Sequence, residues 1–337
     1  MASEFSLREK LARAYAREPS LDPPQAAAQK PQGNMRKITI ALSLVAISAL
    51  TSCSRNSIEA VNLSNEADKQ RESNPDDAIS KYEQAKQLDP SNYRILWKLA
   101  RVYQKKENWD KVDETLAPAV KLAPDHADFF WLKGYALEQI AEKKNSGWAD
   151  AKDPLEQAAK LDPNYADPHF DLANILYHLD DEHGALEQYT KAIELKPDLL
   201  AAYGELADLY RRLGFHDQAM AVVKEGVTWD KGDTSGFNLH TLYGFLLEQQ
   251  GDVSGAIAEY EKAKKACGQC NEKGEQIAFF NLGSAYARAN PPRKSEASSN
   301  LLAFQKTTCR GGAAARYADE CTQAQEYIKI VGGGAGP

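Results

Sequence analysis

The sequence has 337 residues, of which 43% are apolar and 26% are charged, and its net charge is −7. These values are ordinary for a folded soluble protein. The mild acidic balance argues against a nucleic-acid partner, because binding to phosphates needs a basic surface.

The first 34 residues precede a second methionine, Met35, and their later part is rich in Pro, Gln and Ala. Such a composition is typical of unstructured chain. We therefore expect residues 1–34 to be a disordered extension or the product of a mis-assigned start, with translation beginning at Met35. A cytoplasmic tail on an uncleaved anchor is the alternative.

Residues 35–52 have the order of a lipoprotein signal peptide. Arg36 and Lys37 precede an uncharged apolar run of thirteen residues that ends at Leu50. This run is short for a membrane-spanning helix, which needs about 20 residues. Its length suits the apolar segment of a signal peptide.

The next residues, Leu-Thr-Ser-Cys, resemble a bacterial lipobox, in which two small residues separate an aliphatic residue from a cysteine. The resemblance implies cleavage before Cys53 and acylation of its thiol, with residues 53–58 as a linker. It also implies an exported protein, lipid-anchored to the cell envelope. Because Ser54 rather than Asp follows the cysteine, the outer membrane facing the periplasm is favoured. An ordinary anchoring helix that happens to end in cysteine is the alternative.

From about residue 59 onward the chain repeats itself. Pro90 and Pro124 are 34 residues apart, as are Pro163 and Pro197, whereas the middle interval contains five extra residues. The eighth position of successive units is always small: Ala100, Gly134, Ala173, Ala207, Gly244 and Gly283. Paired helices approach closely only where side chains are small. A period of this size predicts a solenoid of helix pairs.

This pattern resembles the tetratricopeptide repeat (TPR) family, whose unit has 34 residues with small residues at the same positions. The resemblance implies an all-α fold, a right-handed superhelix of about seven helix-turn-helix repeats over residues 59–308. A capping helix is expected over 309–331, because the last repeat would otherwise expose its apolar face, and a flexible tail over 332–337. A generic helical bundle is the alternative, but it has no reason to repeat small residues at one register.

Four further cysteines lie near the C-terminus, and an even number in an exported chain predicts disulfides. Four cysteines allow three pairings. Cys309 and Cys321 flank a glycine turn and are expected to pair, which leaves Cys267 with Cys270. A zinc site would need all four thiolates to converge. Haem attachment would need a histidine directly after a CxxC pair, and none stands there.

In the TPR family the first helix of each repeat lines the concave face. The resemblance therefore implies a partner-binding groove, with aromatic rings at the fifth position of three successive repeats. The candidate groove residues are Trp97, Arg101, Trp131, Tyr135, Phe170, Asn174, Tyr177, Asp208 and Arg211. Aromatic side chains with a polar rim are typical binding anchors. Packing of the same rings against the adjacent helix is the alternative.

No catalytic, nucleotide-binding or metal-binding motif occurs in the sequence, so we expect a non-catalytic protein without cofactor, metal or small-molecule substrate. The expected function is to bind a protein or peptide segment in the groove while tethered to the membrane by lipid, during assembly of a cell-envelope, secretion or pilus complex. The architecture resembles the TPR lipoproteins that assist type IV pilus secretin assembly. The alternatives are a passive envelope scaffold that uses its convex or edge surface, and a ligand-binding protein or enzyme with an unrecognised site.

Overall fold

A computed structural model describes residues 46–272, 274–310 and 313–332, and within them every regular element is helical. Short 3₁₀ turns lie at Val227–Trp229 and Thr234–Gly236. The α-helices are α1 (Ala46–Asp68), α2 (Pro75–Leu88), α3 (Tyr93–Lys105), α4 (Trp109–Leu122), α5 (Ala127–Lys144), α6 (Ala149–Leu161), α7 (Ala166–His178), α8 (Glu182–Leu195), α9 (Leu200–Arg212), α10 (His216–Gly226), α11 (Phe237–Gln249), α12 (Val253–Cys267), α13 (Ile277–Arg288), α14 (Lys294–Thr307), α15 (Ala313–Arg316) and α16 (Ala318–Val331).

In the described part of the chain, consecutive helices pack in pairs from α3–α4 to α13–α14, and α1 and α2 share the buried Ala60, Ala67, Ala78 and Tyr82. These seven hairpins are followed by α15 and α16. The second helix of a hairpin also packs against the first helix of the next one, as α6 does against α7. The array is therefore quasi-one-dimensional, because each hairpin contacts mainly its neighbours. The expected fold class, an all-α solenoid of about seven repeats with a terminal helix, is confirmed.

The small residues of the repeat lie where the two helices of a hairpin meet. A Cβ atom placed on Gly134 would lie 2.6 Å from Cγ of Leu155 in the facing helix. At the same register of the last hairpin, a Cβ atom on Gly283 would lie 2.7 Å from Cγ of Leu301. Both leucines are fully buried. A larger side chain at either glycine would push the helices apart.

Polar residues fix the start of the second helix in several hairpins. Their side chains accept a hydrogen bond from a backbone N–H in the first turn; for example, the N–H of Gly184 donates to Oδ1 of Asp181 at 2.9 Å. Such a cap is worth about 1 kcal/mol. The capping residues are Asn74, Asn108, Asp181 and Asp252.

The five extra residues of the third repeat lengthen its first helix. Helix α5 has 18 residues and ends at Lys144; the next residue, Asn145, caps it with a left-handed φ of 50°. The turn that follows carries Trp148, whose ring stacks on His178 of α7 with centroids 3.6 Å apart. The contact fastens the inserted turn to the next hairpin. Partial burial lowers the pKa of His178.

Helix α1 begins earlier than the sequence predicts. The expected linker 53–58 is helical, because no Gly or Pro interrupts residues 46–68 and the buried Ala60, Ser64 and Ala67 continue a helical period. The expected extension 1–34, the part of the expected signal peptide before residue 46 and the expected tail from 333 lie outside the described residues, as does the side chain of Cys53. Among the helices that the structure describes, none is both long and apolar enough to cross a bilayer.

The expected single capping helix over 309–331 is wrong in its first part. Helix α16 begins at Ala318, and its Cys321 and Ala324 are buried against Leu301 and Phe304 of α14. A continuous helix from 309 to 321 would hold those two Cα atoms about 18 Å apart. Instead the chain folds back between them, and the Cα atoms are 5.6 Å apart.

Disulfides join Cys309 to Cys321 and Cys267 to Cys270, with Cα separations of 5.6 and 4.7 Å. Both separations lie in the range that a disulfide requires. The first bond ties α16 to the end of α14. The second closes the turn after α12.

Reduction should loosen α16 before it affects the central hairpins, because the Cys309–Cys321 bond closes a loop of 12 residues and such closure stabilises the fold by about 3 kcal/mol. The test is hydrogen exchange of the Cys309→Ser/Cys321→Ser double variant. Peptides from α16 should exchange faster than in the parent, while those from α8 and α9 stay unchanged. The Cys267→Ser/Cys270→Ser double variant is the control, and equal protection of α16 in all three proteins would contradict the prediction.

Candidate functional site

The candidate site is the row formed by the first helices of successive hairpins. Helix α5 packs against α7, and α9 packs against α11. Two open cavities lie along this row. One of about 520 Å³ is beside α3, and one of about 900 Å³ is between α9, α11 and the start of α13.

The three predicted rings of the fifth position are half-buried, and each has a partner within the protein. Trp97 stacks on Phe129 with centroids 4.9 Å apart, and Phe170 lies 5.9 Å from Tyr189. Trp131 packs against the core of the first three hairpins, as Trp97 does. Packing, the alternative interpretation, thus accounts for the contacts of these rings.

Trp131 also belongs to a network that links the third hairpin to the fourth. Its indole N–H donates to Oδ2 of Asp171 at 2.7 Å. A second hydrogen bond runs from the fourth hairpin to the third, where Nδ2 of Asn174 donates to Oε1 of Glu138 at 2.9 Å. The hydroxyl of Tyr189 donates to Oδ1 of Asn174 at 2.7 Å. We call these five residues the carboxyl interlock.

The two carboxyl groups of the interlock are buried, with 6% of Glu138 and 5% of Asp171 exposed. Burial raises the pKa of Glu138 to about 7, although the hydrogen bond from Asn174 acts in the other direction. Burial and the nearby Glu138 raise the pKa of Asp171 well above its usual value. The Oε2 atom of Glu138 is buried without a hydrogen-bond partner. Such a group favours its neutral form.

The predicted charges of the fifth repeat neutralise each other. Oδ1 of Asp208 lies 2.6 Å from Nη2 of Arg211, and Oδ2 lies 2.6 Å from Nε of Arg212. Arg212 also donates to the hydroxyl of Tyr177. The Arg211 guanidinium stands over the ring of Phe245, 5.6 Å from its centroid. Asp208 thus pairs with both guanidinium groups, one negative charge against two positive ones.

The larger cavity opens where the row of rings stops. The fifth position of the fifth repeat is Gly204, and a Cβ atom placed there would meet no heavy atom within 4 Å. The ring of Phe245, 38% exposed, lies on the next first helix. The apolar and polar residues that line the cavity on these helices include Leu200, Ala201, Asp208, Arg211, Thr241, Leu242, Phe245, Ile277 and Asn281.

The rim of the larger cavity is acidic. Its Lys196 is paired with Asp167 at 3.4 Å, as Arg211 is with Asp208. By contrast, no cation among the described residues forms an ion pair with Glu272 or Glu275 at the opposite side of the rim. Among the residues that the structure describes, the cavity therefore combines an apolar floor with a rim on which carboxylates outnumber cations.

A buried histidine fixes another part of that rim. Nδ1 of His240 is 2.6 Å from Oε2 of Glu259, and Nε2 is 3.2 Å from Oδ2 of Asp230. Burial lowers the pKa of His240, but the two carboxylates outweigh burial and the pKa is raised overall. These contacts hold the turn that carries Thr234 and Ser235 at the cavity edge.

The predicted groove residues are thus distributed over several places. Trp131 and Asn174 join the carboxyl interlock, Arg101 and Tyr135 line the smaller cavity, and Asp208 and Arg211 line the larger one. Sequence reasoning missed Asp171 and Ile277, and it did not assign a role to Gly204. A signal for the cavity was present, because a glycine stands where the preceding repeats carry rings.

Comparison with known proteins agrees with this repeat structure. Models described as Tetratricopeptide repeat match residues 70–133, 140–199 and 200–233. The BBSome complex member BBS4 of Xenopus tropicalis is 28% identical over 159 residues, which cover 46% of this chain and 29% of that protein. The TPR repeat-containing protein MJ1428 of Methanocaldococcus jannaschii is 35% identical over 99 residues, 27% of this chain and 16% of that protein. The chain thus spans less than a third of the length of these curated relatives.

Among solved structures, the pilF protein of Pseudomonas aeruginosa matches with a TM-score of 0.54 at 15% sequence identity. The match covers 69% of this chain and 98% of that chain. At this identity the likeness concerns the fold alone.

We expect Glu138→Gln to flatten the pH dependence of stability. Because the folded-state pKa of about 7 exceeds the ordinary 4.5, the neutral carboxyl stabilises the fold fully below about pH 4.5, and this contribution is lost as the pH rises through 7. The unfolding free energy of the parent should fall from pH 5 to 8 by roughly 1–3 kcal/mol more than that of the variant. Urea titrations across this range measure the difference.

The exposed Glu142 lies on the same helix, so Glu142→Gln is the matched control. His240 adds a loss of the same sign in all three proteins, since its pKa is also raised, and the comparison between variants removes it. An equal pH slope for Glu138→Gln and the parent would contradict the prediction.

Proposed function

We propose that this chain, a tetratricopeptide repeat protein and hence a protein-interaction module, holds a segment of a protein partner in the larger cavity between α9, α11 and α13. The observation that carries the proposal is the open cavity of about 900 Å³ that Phe245 lines, on a row of helices where Gly204 leaves its own position unfilled. In the three preceding repeats, the rings of Trp97, Trp131 and Phe170 stand at the position equivalent to Gly204. An apolar floor with a polar rim is the arrangement in which interface anchors bind.

The chemistry of the cavity selects the partner segment. Leu242, Phe245 and Ile277 suit apolar anchors, whereas Glu272 and Glu275 on the rim favour flanking lysines or arginines. Arg211 attracts acidic flanks less than an unpaired arginine would, because it is paired with Asp208. The partner segment is therefore apolar with basic flanks, and it binds without chemical change.

We further propose that the chain is exported and tethered by lipid on Cys53 to the cell envelope, on the outer membrane facing the periplasm. The support is the sequence order of Arg36-Lys37, an apolar run and a lipobox before Cys53. Disulfides near the C-terminus fit an oxidising compartment. In that setting the groove serves assembly of an envelope, secretion or pilus complex.

Filling the cavity should abolish partner binding. Gly204→Trp places a ring in the open space, whereas Gly204→Ala adds only a methyl group. Neither variant should weaken the fold, because glycine inside a helix costs about 1 kcal/mol relative to alanine. Photo-crosslinking from a benzoylphenylalanine at position 245 in intact cells measures binding, and thermal melting checks the fold.

The crosslinked product should form from position 245, persist with Gly204→Ala and disappear with Gly204→Trp. Phe215 provides the matched control position, since its ring is 48% exposed but does not line the cavity. Equal products from both positions, or products that survive Gly204→Trp, would mean that a convex or edge surface makes the contact.

Replacing Cys53 should release the protein from membranes. Cys53→Ala removes the thiol that carries the acyl chains, and the apolar run of thirteen residues that the uncleaved variant keeps is short for a membrane-spanning helix, which needs about 20. Membrane fractionation and intact mass are the measurements, with Ser54→Ala as the control. Cys53→Ala should have the mass of the uncleaved precursor, whereas Ser54→Ala should match the parent. If both variants match the parent in mass and membrane fraction, lipidation is refuted.

A further inference from the structure

The smaller cavity differs from the larger cavity in both place and charge. It has a volume of about 520 Å³ and lies between α3, the turn after α1, the turn before α4 and one residue of α5. Its lining residues are Arg71, Glu72, Lys98, Arg101, Val102, Gln104, Lys105, Glu107, Trp109 and Tyr135. Four of these are basic and two are acidic. The cavity is thus locally positive on a chain whose net charge is −7.

Two of the four bases already have strong carboxylate partners. Nζ of Lys98 lies 2.6 Å from Oδ2 of Asp68, and Lys105 is paired with Glu72. Arg71 makes a longer contact of 3.7 Å with Glu72. These pairs lower the charge that Lys98, Lys105 and Arg71 can offer to a ligand.

Arg101 is different, because no carboxylate among the described residues pairs with it. Its Nη1 donates to Oε1 of Gln104 at 2.7 Å, and its guanidinium lies over the ring of Trp97, 5.6 Å from the centroid. The side chain is exposed but held from two directions. A guanidinium that is oriented and unpaired is suited to bind a carboxylate.

The opposite wall of the cavity is aromatic. Trp109 and Tyr135 are half-buried and meet edge to face, with centroids 5.4 Å apart. Val102 is buried behind them. A ligand that reaches Arg101 with a carboxylate can therefore place an adjacent apolar side chain against these rings.

We propose that the smaller cavity is a second interaction site, which binds an acidic segment of a protein with apolar residues next to its carboxylates. The site is independent of the larger cavity, whose rim has the opposite charge. A lipid headgroup fits the position less well. Helix α1 places Asp68, at the cavity end, about 22 Å along its axis from the proposed anchor Cys53.

The probe is a short fluorescent peptide that alternates glutamate and phenylalanine and has both ends capped, so that no terminal carboxylate contributes. Its affinity for the full chain in nonionic detergent is measured by anisotropy. A matched peptide with glutamine in place of glutamate should bind at least about tenfold more weakly. Added salt should weaken only the glutamate peptide.

Arg101→Glu should weaken the glutamate peptide at least about tenfold and strengthen a third peptide in which lysine replaces glutamate. The gain for the lysine peptide shows that a folded site has changed sign. Arg94→Glu is the matched control, since Arg94 is exposed on the same helix and also lies over a ring, that of Tyr93 at 5.9 Å.

Three results would overturn the proposal. In the first, Arg94→Glu and Arg101→Glu weaken the glutamate peptide equally, which means charge attraction without a site. In the second, neither variant weakens it. In the third, Arg101→Glu still binds the peptide but no longer floats with anionic phosphatidylglycerol vesicles. The last result would assign the cavity to a membrane surface. Gly204→Trp should leave the affinity for the glutamate peptide unchanged, so this test is separate from the test of the larger cavity.

Discussion

Close contact between the two helices of each hairpin is the constraint on which the rest of the array depends. Where the facing side chain is a methyl group or a hydrogen, the helices approach until large neighbours such as Tyr82 and Tyr203 become fully buried. The twentieth position of the repeat is an alanine with no exposed surface in five hairpins: Ala78, Ala151, Ala185, Ala219 and Ala256. Because each hairpin is short, this packing rather than helix propensity stabilises it.

The sequence predicts the fold well for the same reason. Small residues that recur at one register report the contact that organises every hairpin, and the pattern survives the five-residue insertion before Trp148. Helix ends were less predictable where no Gly or Pro stands, so the linker before residue 59 proved helical. The paired approach of Cys309 and Cys321 was readable from the glycine turn between them, but the break it imposes on the last helix was not.

The binding surface was harder to predict than the fold. Position in the repeat identifies which side chains face the row of first helices, but it does not reveal which of them are already engaged. Trp131 and Asn174 are used within the protein by two buried carboxyls, and Asp208 cancels Arg211. Gly204 leaves its position on the row unfilled, and a missing side chain carries no chemistry that a motif search can detect.

The cap at the C-terminal end gives the array a direction. A one-dimensional stack loses structure from its ends, because a terminal hairpin has a neighbour on one side only. At the far end a covalent bond holds α16 over the buried Phe304, whereas at the near end Ile58 and Val61 of α1 are 62% and 44% exposed. The covalent bond therefore opposes fraying of α16. The larger cavity, between α9, α11 and α13, lies nearer along the array to this fastened helix than the basic cavity beside α3 does.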